Sequence, residues 1–390
     1  MKTLRIAVIG IGNIGSAHSK YLYGGNIENA VLSAVCDIAP EKRKLCGELF
    51  PDVPFFANID ELTASKVCDA VIVSVPHPYH AEIAIKAMEA GLHVLCEKPL
   101  SVAVSSARKM LDAAKKNGVV FAVMLNQRTL PIFRRARELV QSGALGQIKR
   151  SVWIITNWYR TQSYYNSSSW RATWKGEGGG VLLNQAPHNL DLWQWICGMP
   201  TKITAFCDVA KYHKIEVEDD VTIQVRYENG GVGTFITSTG EYPGTNRLEI
   251  SGDLGKLVLE NGVLKYWKLS QSVSDNIENS AECFTEIPCE YSEETFTEPK
   301  YPHGLIIENF KNRILYGEEL ISPAEDGLCE LSISNGAFLS SWTDSTVSLP
   351  LDCEKFDAYF EKLCESGADI HAASGDFAEG EYSQRWKTRW

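Results

Sequence analysis

The first third of the chain alternates short apolar runs with stretches of helical periodicity. Runs rich in β-branched residues predict strands, and the amphipathic stretches between them predict helices. The predicted strands are Leu4–Ile9, Val31–Cys36, Val67–Val75, His93–Glu97 and Val119–Leu125. The clearest predicted helices are His80–Ala90 and Ser105–Lys116. Strands that alternate with helices predict a parallel, doubly wound α/β sheet, which we assign to a domain of residues 1–125.

The pattern becomes mostly strand-like after about residue 147. The predicted strands there are Lys149–Trp158, Ile203–Ala210, Val221–Tyr227, Gly233–Ser238, Arg247–Gly252 and Lys256–Glu260. Two helices are predicted at Asn189–Cys197 and His303–Tyr316. We therefore expect residues 126–390 to form an α+β domain with a mostly antiparallel, open sheet that binds substrate and supports oligomerisation. Residues 315–351 could pack on either domain, and the tryptophans in residues 374–390 suggest packing on a neighbouring surface.

The first predicted strand runs directly into a glycine loop and then into a helix. The loop, which has the spacing G-x-G-x-x-G, consists of Gly10, Ile11, Gly12, Asn13, Ile14 and Gly15. The first glycine allows a tight turn, the second lets a pyrophosphate approach the backbone, and the third lets the helix pack on the strand. This order of elements predicts a dinucleotide site at the helix N-terminus, where free N–H groups face the phosphates. A glycine turn without a ligand is the alternative.

Asp37 indicates which dinucleotide is bound. It stands at the end of the second predicted strand, 22 residues after Gly15. An acidic residue at about this distance binds the ribose hydroxyls of NAD, and its charge would repel the 2′-phosphate of NADP. Lys42 and Arg43 follow closely and could restore NADP binding, or they could lie on a solvated helix face. NAD is the expected cofactor, and NADP is the less favoured alternative.

Further cofactor residues are expected at the same edge of the sheet. Ligands of doubly wound sheets bind at the carboxyl ends of the strands. Besides the glycine loop and Asp37, the residues that we place there are Ser74, Pro76, His80, Glu97, Lys98 and Gln127. Lys98 precedes a proline that fixes the chain, so its ammonium group can point into the cleft, although most lysines are simply solvated.

A second constellation lies between Gly178 and Asp191. Three consecutive glycines let the backbone approach a ligand closely. Asn184 and His188 are four residues apart, so on a helical turn they share a face. His188 could accept a proton near neutral pH, as oxidation of an alcohol requires, and Asp191 could hold its imidazole or cap the helix. A core histidine beside a helix start is the alternative.

These motifs, in this order, resemble the glucose–fructose oxidoreductase/inositol dehydrogenase family (Gfo/Idh/MocA). The resemblance spans nearly the whole chain, from the glycine loop of a Rossmann domain through Glu97-Lys98-Pro99 to the Asn184–His188 element. It implies that Lys98 and His188 flank the substrate carbon beside the nicotinamide. It also implies that Trp170 and Arg171 approach the cofactor, and that a homodimer or homotetramer forms through the open sheet face.

One departure from the family concerns Asn184. Members similar to inositol dehydrogenase carry aspartate at this position, whereas an asparagine can orient a substrate hydroxyl but cannot hold a charge. A Lys–Asp–His relay is therefore unavailable, and the resemblance leaves proton removal to His188 with Lys98. Family members with Asn-Gln at this point often act on sugars or sugar nucleotides, so inositol becomes less favoured as the substrate.

Aromatic and hydrogen-bonding side chains crowd the stretch from Trp153 to Trp174. A sugar stacks its C–H faces on rings and needs partners for its hydroxyls, so this composition suits a sugar site. The residues that we assign to the substrate, besides Lys98, Asn184 and His188, are Asn157, Tyr159 and His303. A packed sheet face or a subunit contact would explain the same aromatics.

Composition excludes several classes of protein. The 390 residues carry a net charge of −11 and no Lys/Arg run, which argues against binding to nucleic acid or a membrane surface. No apolar run reaches the length of about 18 residues that a membrane helix needs. The first residues lack a secretory pattern, so we expect a cytoplasmic protein. Its eleven cysteines include no C-x-x-C motif, and we expect reduced thiols with no metal site.

The sequence thus predicts an NAD-dependent dehydrogenase or reductase. It would transfer a hydride between the nicotinamide and a secondary alcohol of a sugar, glycoside or polyol, with Lys98 and His188 assisting proton transfer. The alternative enzyme is a glycosidase that keeps NAD bound and oxidises, eliminates and reduces the sugar within one cycle. A sensor or binding subunit without catalysis is a third possibility, which the presence of both Lys98 and His188 disfavours.

Overall fold

The computed structural model describes residues 2–168 and 170–367, which form two β-sheets and the helices around them. The strands of the first sheet are β1 Leu4–Ile9, β2 Ala30–Cys36, β3 Phe55–Phe56, β4 Ala70–Val73, β5 His93–Cys96 and β6 Phe121–Val123. They are all parallel, in the order β3-β2-β1-β4-β5-β6. The helices in this half are α1 Asn13–Tyr23, α2 Pro40–Leu49, α3 Ile59–Ser65, α4 His80–Glu89 and α5 Val104–Asn117.

The second sheet is longer and mostly antiparallel. Its strands are β7 Ile148–Ile155, β8 Lys202–Val209, β9 Glu218–Arg226, β10 Val232–Ser238, β11 Asn246–Gly252, β12 Gly255–Glu260, β13 Val263–Leu269, β14 Cys289–Thr295 and β15 Val347–Ser348. Their order is β14-β13-β12-β11-β7-β10-β9-β8-β15, in which β7 and β10 form the parallel pair. The helices are α6 Pro131–Gln141, α7 Gln162–Tyr165, α8 Trp174–Glu177, α9 Pro187–Cys197, α10 Val273–Asn279, α11 Pro302–Tyr316, α12 Ala324–Thr343 and α13 Cys353–Ser366.

The later helices return to cover the first sheet. On one face, Ile306, Ile307 and Phe310 of α11 pack in the same core as Ile6 and Val8 of β1. The core on the other face is continuous with the core under the second sheet. Helix α12 joins the two halves, because it contacts α5 and β6 on one side and β8 and α9 on the other. This packing holds the carboxyl ends of the first sheet against the start of α9.

The strand patterns explain the two kinds of sheet. All four residues of β4 are buried, as in a parallel sheet with both faces covered, whereas buried and more exposed residues alternate along β9. The predicted fold class is therefore confirmed. The division into domains at residue 125 stays a prediction, and the predicted packing of residues 374–390 lies outside the described residues.

Several predicted element bounds are wrong. The strand predicted at Val67–Val75 is reduced to β4, and the one predicted at Lys149–Trp158 ends at Ile155. Strands β13 and β14 and helix α12 lie where no element was assigned. Residues 315–351, left open between the domains, contact both through α12. All eleven cysteines are free thiols, and no helix in the described ranges has both the length and the apolar character to cross a membrane.

Candidate active site

The glycine loop forms a tight turn between β1 and α1. Gly10 has a φ of +89°, and a Cβ there would stand 2.6 Å from the carbonyl oxygen of Ser74. A Cβ on Gly15 would stand 1.8 Å from the carbonyl oxygen of Gly10, so the loop closes only with glycine at both positions. Gly12 instead borders open space and precedes the free N–H groups of α1, which carries no acidic residue in its first turn. This cradle suits a pyrophosphate.

Asp37 lies next to this loop. Its carboxylate accepts hydrogen bonds from the backbone N–H of Ile11, at 2.6 Å, and of Ala39, at 2.9 Å. A carboxylate has about four acceptor sites, so two remain for ribose hydroxyls. Arg43 lies over the ring of Phe55, at 4.7 Å from its centroid, and so is engaged in a cation–π contact. These residues fit NAD, with a negative charge where NADP would place its 2′-phosphate.

The loops after β4 and β5 are tied together by His80. Its ring nitrogens lie 2.8 Å from the carbonyl oxygens of Pro99 and Val75, and its side chain is buried. Neither nitrogen is left for a ligand, so any contribution of His80 to cofactor binding goes through the two loops. Ser74 and Pro76 lie on the first of these loops, and the buried Ser74 hydroxyl has no protein partner among the described residues.

Lys98 connects the two halves of the site. It follows β5, and its ammonium group donates a hydrogen bond of 2.8 Å to the backbone carbonyl of Asn184. Burial lowers the pKa of Lys98, while the carboxylates of Glu97, Glu330 and Glu177 act in the opposite direction. An ammonium group has three N–H donors, so two stay available on the cleft side.

Glu97 is held by side chains that sequence reasoning did not connect to it. His18 of α1 lies 2.8 Å from one Glu97 oxygen, and the other accepts from the backbone N–H of Lys98, at 3.2 Å. Burial alone would raise the pKa of Glu97, but the hydrogen bond and charge of His18 hold it at about 2. The ring of His303 lies 5.6 Å from that of His18, so His303 belongs to the same cluster.

His188 lies in the first turn of α9. Burial lowers its pKa well below the ordinary value, and the charges of Lys98 and His303 lower it further. Its Nδ1 is buried without a hydrogen-bond partner in the described ranges. The pKa of His303 is lowered to about 4, mainly by burial and then by His18. Both rings are therefore neutral at pH 7. Lys98 and His303 both act electrostatically on His188, so the three side chains lie near one another, and their roles stay predictions.

Asn184 precedes α9 and does not belong to the helix, since α9 begins at Pro187. Its side-chain amide donates to the Glu177 carboxylate. The other Glu177 oxygen accepts from the backbone N–H of Ala172, at 2.7 Å, and the Arg171 guanidinium lies 3.7 Å away. Glu177 is 1% exposed, and it was not among the predicted site residues.

Asp191 neither holds the imidazole of His188 nor caps the helix, the two roles expected from the sequence. It is buried against Arg128, whose Nε donates to it at 2.8 Å, and it also accepts from Gln194, at 3.0 Å. The N-terminus of α9 has no side-chain cap, and the Asp191 carboxylate is occupied away from His188. The spacing of three residues was misleading because Arg128, 63 positions earlier, meets Asp191 only in the folded chain.

Trp170 and Arg171 form a packed group with Tyr164. Arg171 lies 4.5 Å from the Trp170 ring centroid and donates to the Tyr164 hydroxyl at 2.9 Å. That hydroxyl also accepts from Gln185, at 3.0 Å. Trp170 in turn packs edge-on against the ring of His77, at 5.8 Å. The pair is thus joined to the loop after β4, as an approach to the cofactor requires.

The remaining predicted site residues differ in how far their side chains are exposed to solvent. Tyr159 is 47% exposed and packs on Tyr242, with 5.7 Å between ring centroids. Asn157 is half-buried beneath the same loop, where a Cβ on Gly244 would meet its backbone. Gln127 is buried, with its side-chain oxygen unpaired among the described residues. The substrate roles of Tyr159 and Asn157 stay predictions.

The buried carboxyl groups that escaped sequence reasoning include Glu177, Glu218 and Glu330. Glu177 stands directly before the three glycines, and this position is the one signal that could have found it. Glu218 accepts from the backbone N–H groups of Gly180 and Leu182, at 2.8 and 2.9 Å, so it anchors the glycine stretch. Among the described residues, no group of His, Cys, Asp and Glu side chains is arranged to hold a metal ion.

Two family comparisons match most of the chain. Residues 4–125 match an oxidoreductase family described as an NAD-binding Rossmann fold, and residues 133–258 match the Gfo/Idh/MocA C-terminal domain. The two matched regions meet at the cleft that holds Lys98 and Asn184.

Individual relatives agree with these matches. The myo-inositol 2-dehydrogenase of Thermotoga maritima is 27% identical over 264 residues, which cover 66% of this chain and 75% of that enzyme. The levoglucosan dehydrogenase of Pseudarthrobacter phenanthrenivorans is 27% identical over 297 residues, 66% of this chain and 74% of its own. Among solved structures, the WlbA dehydrogenase of Bordetella pertussis, in complex with NADH and UDP-GlcNAcA, has a similar fold. Its TM-score is 0.77 at 23% identity, covering 90% of this chain and 100% of that one.

Proposed function

Because the chain belongs to the Gfo/Idh/MocA family of NAD-binding oxidoreductases, we propose that it moves a hydride between NAD and a secondary alcohol of a sugar, glycoside or polyol, with Lys98 and His188 handling the proton. The names of the relatives support this substrate class, since two of them act on myo-inositol and levoglucosan. NAD supplies the redox chemistry when it is bound.

The observation that carries this proposal is the hydrogen bond from Lys98 to Asn184. It brings the carboxyl end of β5, which borders the cofactor edge, to the segment that presents His188. A substrate oxygen in the cleft can then be reached by an ammonium donor and by a neutral imidazole at once. Arrangements of this kind are what general acid–base catalysis requires.

Each residue has a distinct part in the proposed reaction. His188, kept neutral by burial, takes the hydroxyl proton during oxidation and returns it during reduction. Lys98 donates a hydrogen bond to the same oxygen and stabilises its developing negative charge. The glycine loop and Asp37 hold the dinucleotide, and Asp37 favours NAD over NADP. Trp170 and Arg171 close the cofactor side of the cleft.

The outer face of the second sheet supports the further proposal of a homo-oligomer. Phe206 on β8 is 65% exposed, and the half-buried Ile236 on β10 and Ile154 on β7 lie in the same cross-strand row, on the same face of the sheet. Apolar residues on an open sheet are usually covered by another chain. Light scattering in solution should therefore give a mass that is a multiple of the 43.3 kDa chain.

Absorbance at 340 nm tests the enzymatic proposal. Purified protein is mixed with NAD and a panel of inositols, aldoses, glycosides and UDP-sugars. We expect one class to produce NADH, and Lys98→Met to lower kcat by about 10² to 10⁴ while the Kd for NAD changes less than two-fold. Lys86→Met, on the exposed face of α4, is the matched control and should leave both values unchanged.

The other outcomes are equally informative. Substrate consumption without net NADH, together with NAD that copurifies, would replace the dehydrogenase by the glycosidase cycle. Full turnover in Lys98→Met would remove Lys98 from the mechanism. A protein without affinity for NAD would contradict the proposal at the glycine loop.

A further inference from the structure

We propose that Glu177 is a positioning residue of the active site, which orients the side chain of Asn184 and supplies the negative charge that Asn184 lacks. This inference rests on the proposed function, because it concerns the same cleft. Glu177 lies at the end of the short helix α8. Its carboxylate acts on the reaction through Asn184 and Lys98.

The hydrogen bonds of Glu177 fix its chemical state. One oxygen accepts from the backbone N–H of Ala172 at 2.7 Å, and the other accepts from the Asn184 amide. The Arg171 guanidinium lies 3.7 Å from the second oxygen. With donors on both oxygens and a guanidinium beside it, Glu177 is an ionised acceptor. Burial raises its pKa, and Arg171 is the largest opposing influence.

This contact decides how Asn184 faces the cleft. A planar amide that turns its NH₂ group toward Glu177 must turn its oxygen to the other side. The backbone carbonyl of the same residue accepts from Lys98, at 2.8 Å, so the Lys98 ammonium lies close by. Asn184 therefore presents an acceptor to a substrate hydroxyl, next to the donor on Lys98. A hydroxyl that donates to Asn184 while a neighbouring one meets Lys98 fits a vicinal diol, as in sugars and polyols.

The charges around Glu177 support a second effect. Lys98 and Arg171 are the cations that act on it, Glu218 is a buried carboxyl on the side of the glycine stretch, and His77 donates to its backbone carbonyl at 3.0 Å. Glu177 is one of the carboxylates that oppose the lowering of the Lys98 pKa. It thus helps Lys98 stay protonated in a buried place.

Variants that move the negative charge from residue 177 to residue 184 test the inference. In Glu177→Gln, the Ala172 N–H still needs an oxygen, so the new NH₂ group faces Asn184 and the Asn184 amide must invert. In Asn184→Asp, two carboxylates meet at hydrogen-bond distance and cannot both ionise at neutral pH. The double variant E177Q/N184D pairs an amide NH₂ with a carboxylate again, with donor and acceptor exchanged.

The variants are compared by kcat, KM, thermal midpoint and Kd for NAD. We expect Glu177→Gln and Asn184→Asp each to lower kcat/KM at least about ten-fold, largely through a higher KM, because a hydrogen bond to the substrate is lost. The double variant should recover to within about three-fold of the wild type. Glu228→Gln, in the exposed turn before β10, is the matched control without an effect.

A second measurement does not depend on turnover. The reactivity of Lys98 toward acetic anhydride, followed by mass spectrometry between pH 7 and 11, reports the pKa of its ammonium group. Glu177→Gln should lower that pKa by about half a unit, which makes labelling about three-fold faster at pH 8, and the double variant should restore it. If the proposed function fails because no substrate is found, this result still stands or falls by itself.

Three results would overturn the inference. One is a double variant as impaired as the worse single variant while its thermal midpoint is unchanged, since restored charge pairing would then be irrelevant. The second is a labelling profile of Lys98 that is identical in the wild type and in Glu177→Gln. The third is a loss of activity that merely follows the thermal midpoint in all three variants, which would reduce Glu177 to a folding role.

Discussion

His188 must be uncharged to accept a proton from an alcohol, whereas Lys98 must be charged to stabilise the oxygen that loses it. Both side chains are buried, and burial disfavours the charged form of each. Three carboxyl groups oppose this effect at Lys98, namely Glu97, Glu177 and Glu330, whereas Glu97 opposes it at His188. The nearby Lys98 also lowers the pKa of His188, and His303 would lower it further only when protonated, below its own pKa of about 4. Burial therefore favours the neutral imidazole of His188, while at Lys98 the carboxyl groups counteract part of the lowering of the pKa.

A pH profile of kcat/KM for oxidation tests this separation. The imidazole acts as a base above its pKa, and that pKa lies well below the ordinary 6.5. We therefore expect the rate to stay level as pH falls through 6.5 and to decline only at lower pH. His303→Asn should hardly move this acid limb, because His303 is itself neutral above its pKa of about 4. A midpoint at or above 6.5 would contradict the assignment of His188 as the neutral base.

At the scale of elements, the glycine stretch before α9 depends on Glu218 at the start of β9. The carboxyl group of Glu218 accepts from two backbone N–H groups, those of Gly180 and Leu182, and is fully buried. Burial raises its pKa to about 8, although both backbone donors act in the opposite direction. This side chain thereby attaches the segment that carries Asn184 to the second sheet, together with the backbone hydrogen bond from Val181 to the Glu218 carbonyl, at 3.1 Å.

Glu218→Gln should loosen that attachment. An amide has a single oxygen, so one backbone N–H would face the new NH₂ group and remain unsatisfied, at a cost of about 1–3 kcal/mol in the free energy of unfolding. Urea denaturation measures this loss, with the exposed Glu228→Gln as the control of the same chemical change. We also expect KM to rise, since Asn184 follows the stretch. Stability equal to that of the control would show that Glu218 anchors nothing.

The elements also show what the sequence could and could not predict. The glycine loop, Asp37 and Lys98 were recognisable because each stands at the end of a strand with a clear apolar pattern. Helix α12 was missed because it is buried on nearly every side and includes polar residues such as Ser334 and Asn335. It therefore has no apolar stripe of helical period for a sequence pattern to reveal.

At the scale of the whole molecule, the site depends on contacts between distant parts of the chain. Glu177 and Asn184 are close in sequence, but their side chains pair only when α8 and the turns after it are folded. The contact of His18 with Glu97 spans 79 positions. No local pattern encodes such pairs, so residue types and strand ends could indicate the cleft but not its buried carboxylates.

Arg128 is the clearest tie between the two halves. It is buried after β6, donates to Asp191 of α9 through two nitrogens, and pairs with Asp326 of α12. It also donates to the backbone carbonyl of Ile321, at 3.3 Å, and its guanidinium lies 5.1 Å from the Trp195 ring centroid. Since α12 also contacts α5 and β8, this cluster holds the elements on both sides of the cleft.

Replacing Arg128 by methionine should therefore destabilise the whole molecule. Asp191, which is 1% exposed, would be left without its cation, and removing one partner of a buried pair costs about 3–5 kcal/mol in the free energy of unfolding. Arg5→Met, which breaks the more exposed pair with Asp69, is the matched control and should destabilise the protein far less, because water screens an exposed ion pair.

The pH dependence of the Arg128→Met loss identifies its cause. Burial already raises the pKa of Asp191, with Arg128 as the largest opposing influence, so the variant raises that pKa further. A carboxyl whose pKa is raised on folding binds more protons in the folded state, so the penalty is full above its folded pKa and shrinks as pH falls toward its unfolded value near 3.8. Urea unfolding at pH 8 and pH 5 should therefore show a smaller difference from the wild type at pH 5. An equal difference at both pH values would assign the loss to packing around Trp195 and not to the unpaired carboxylate.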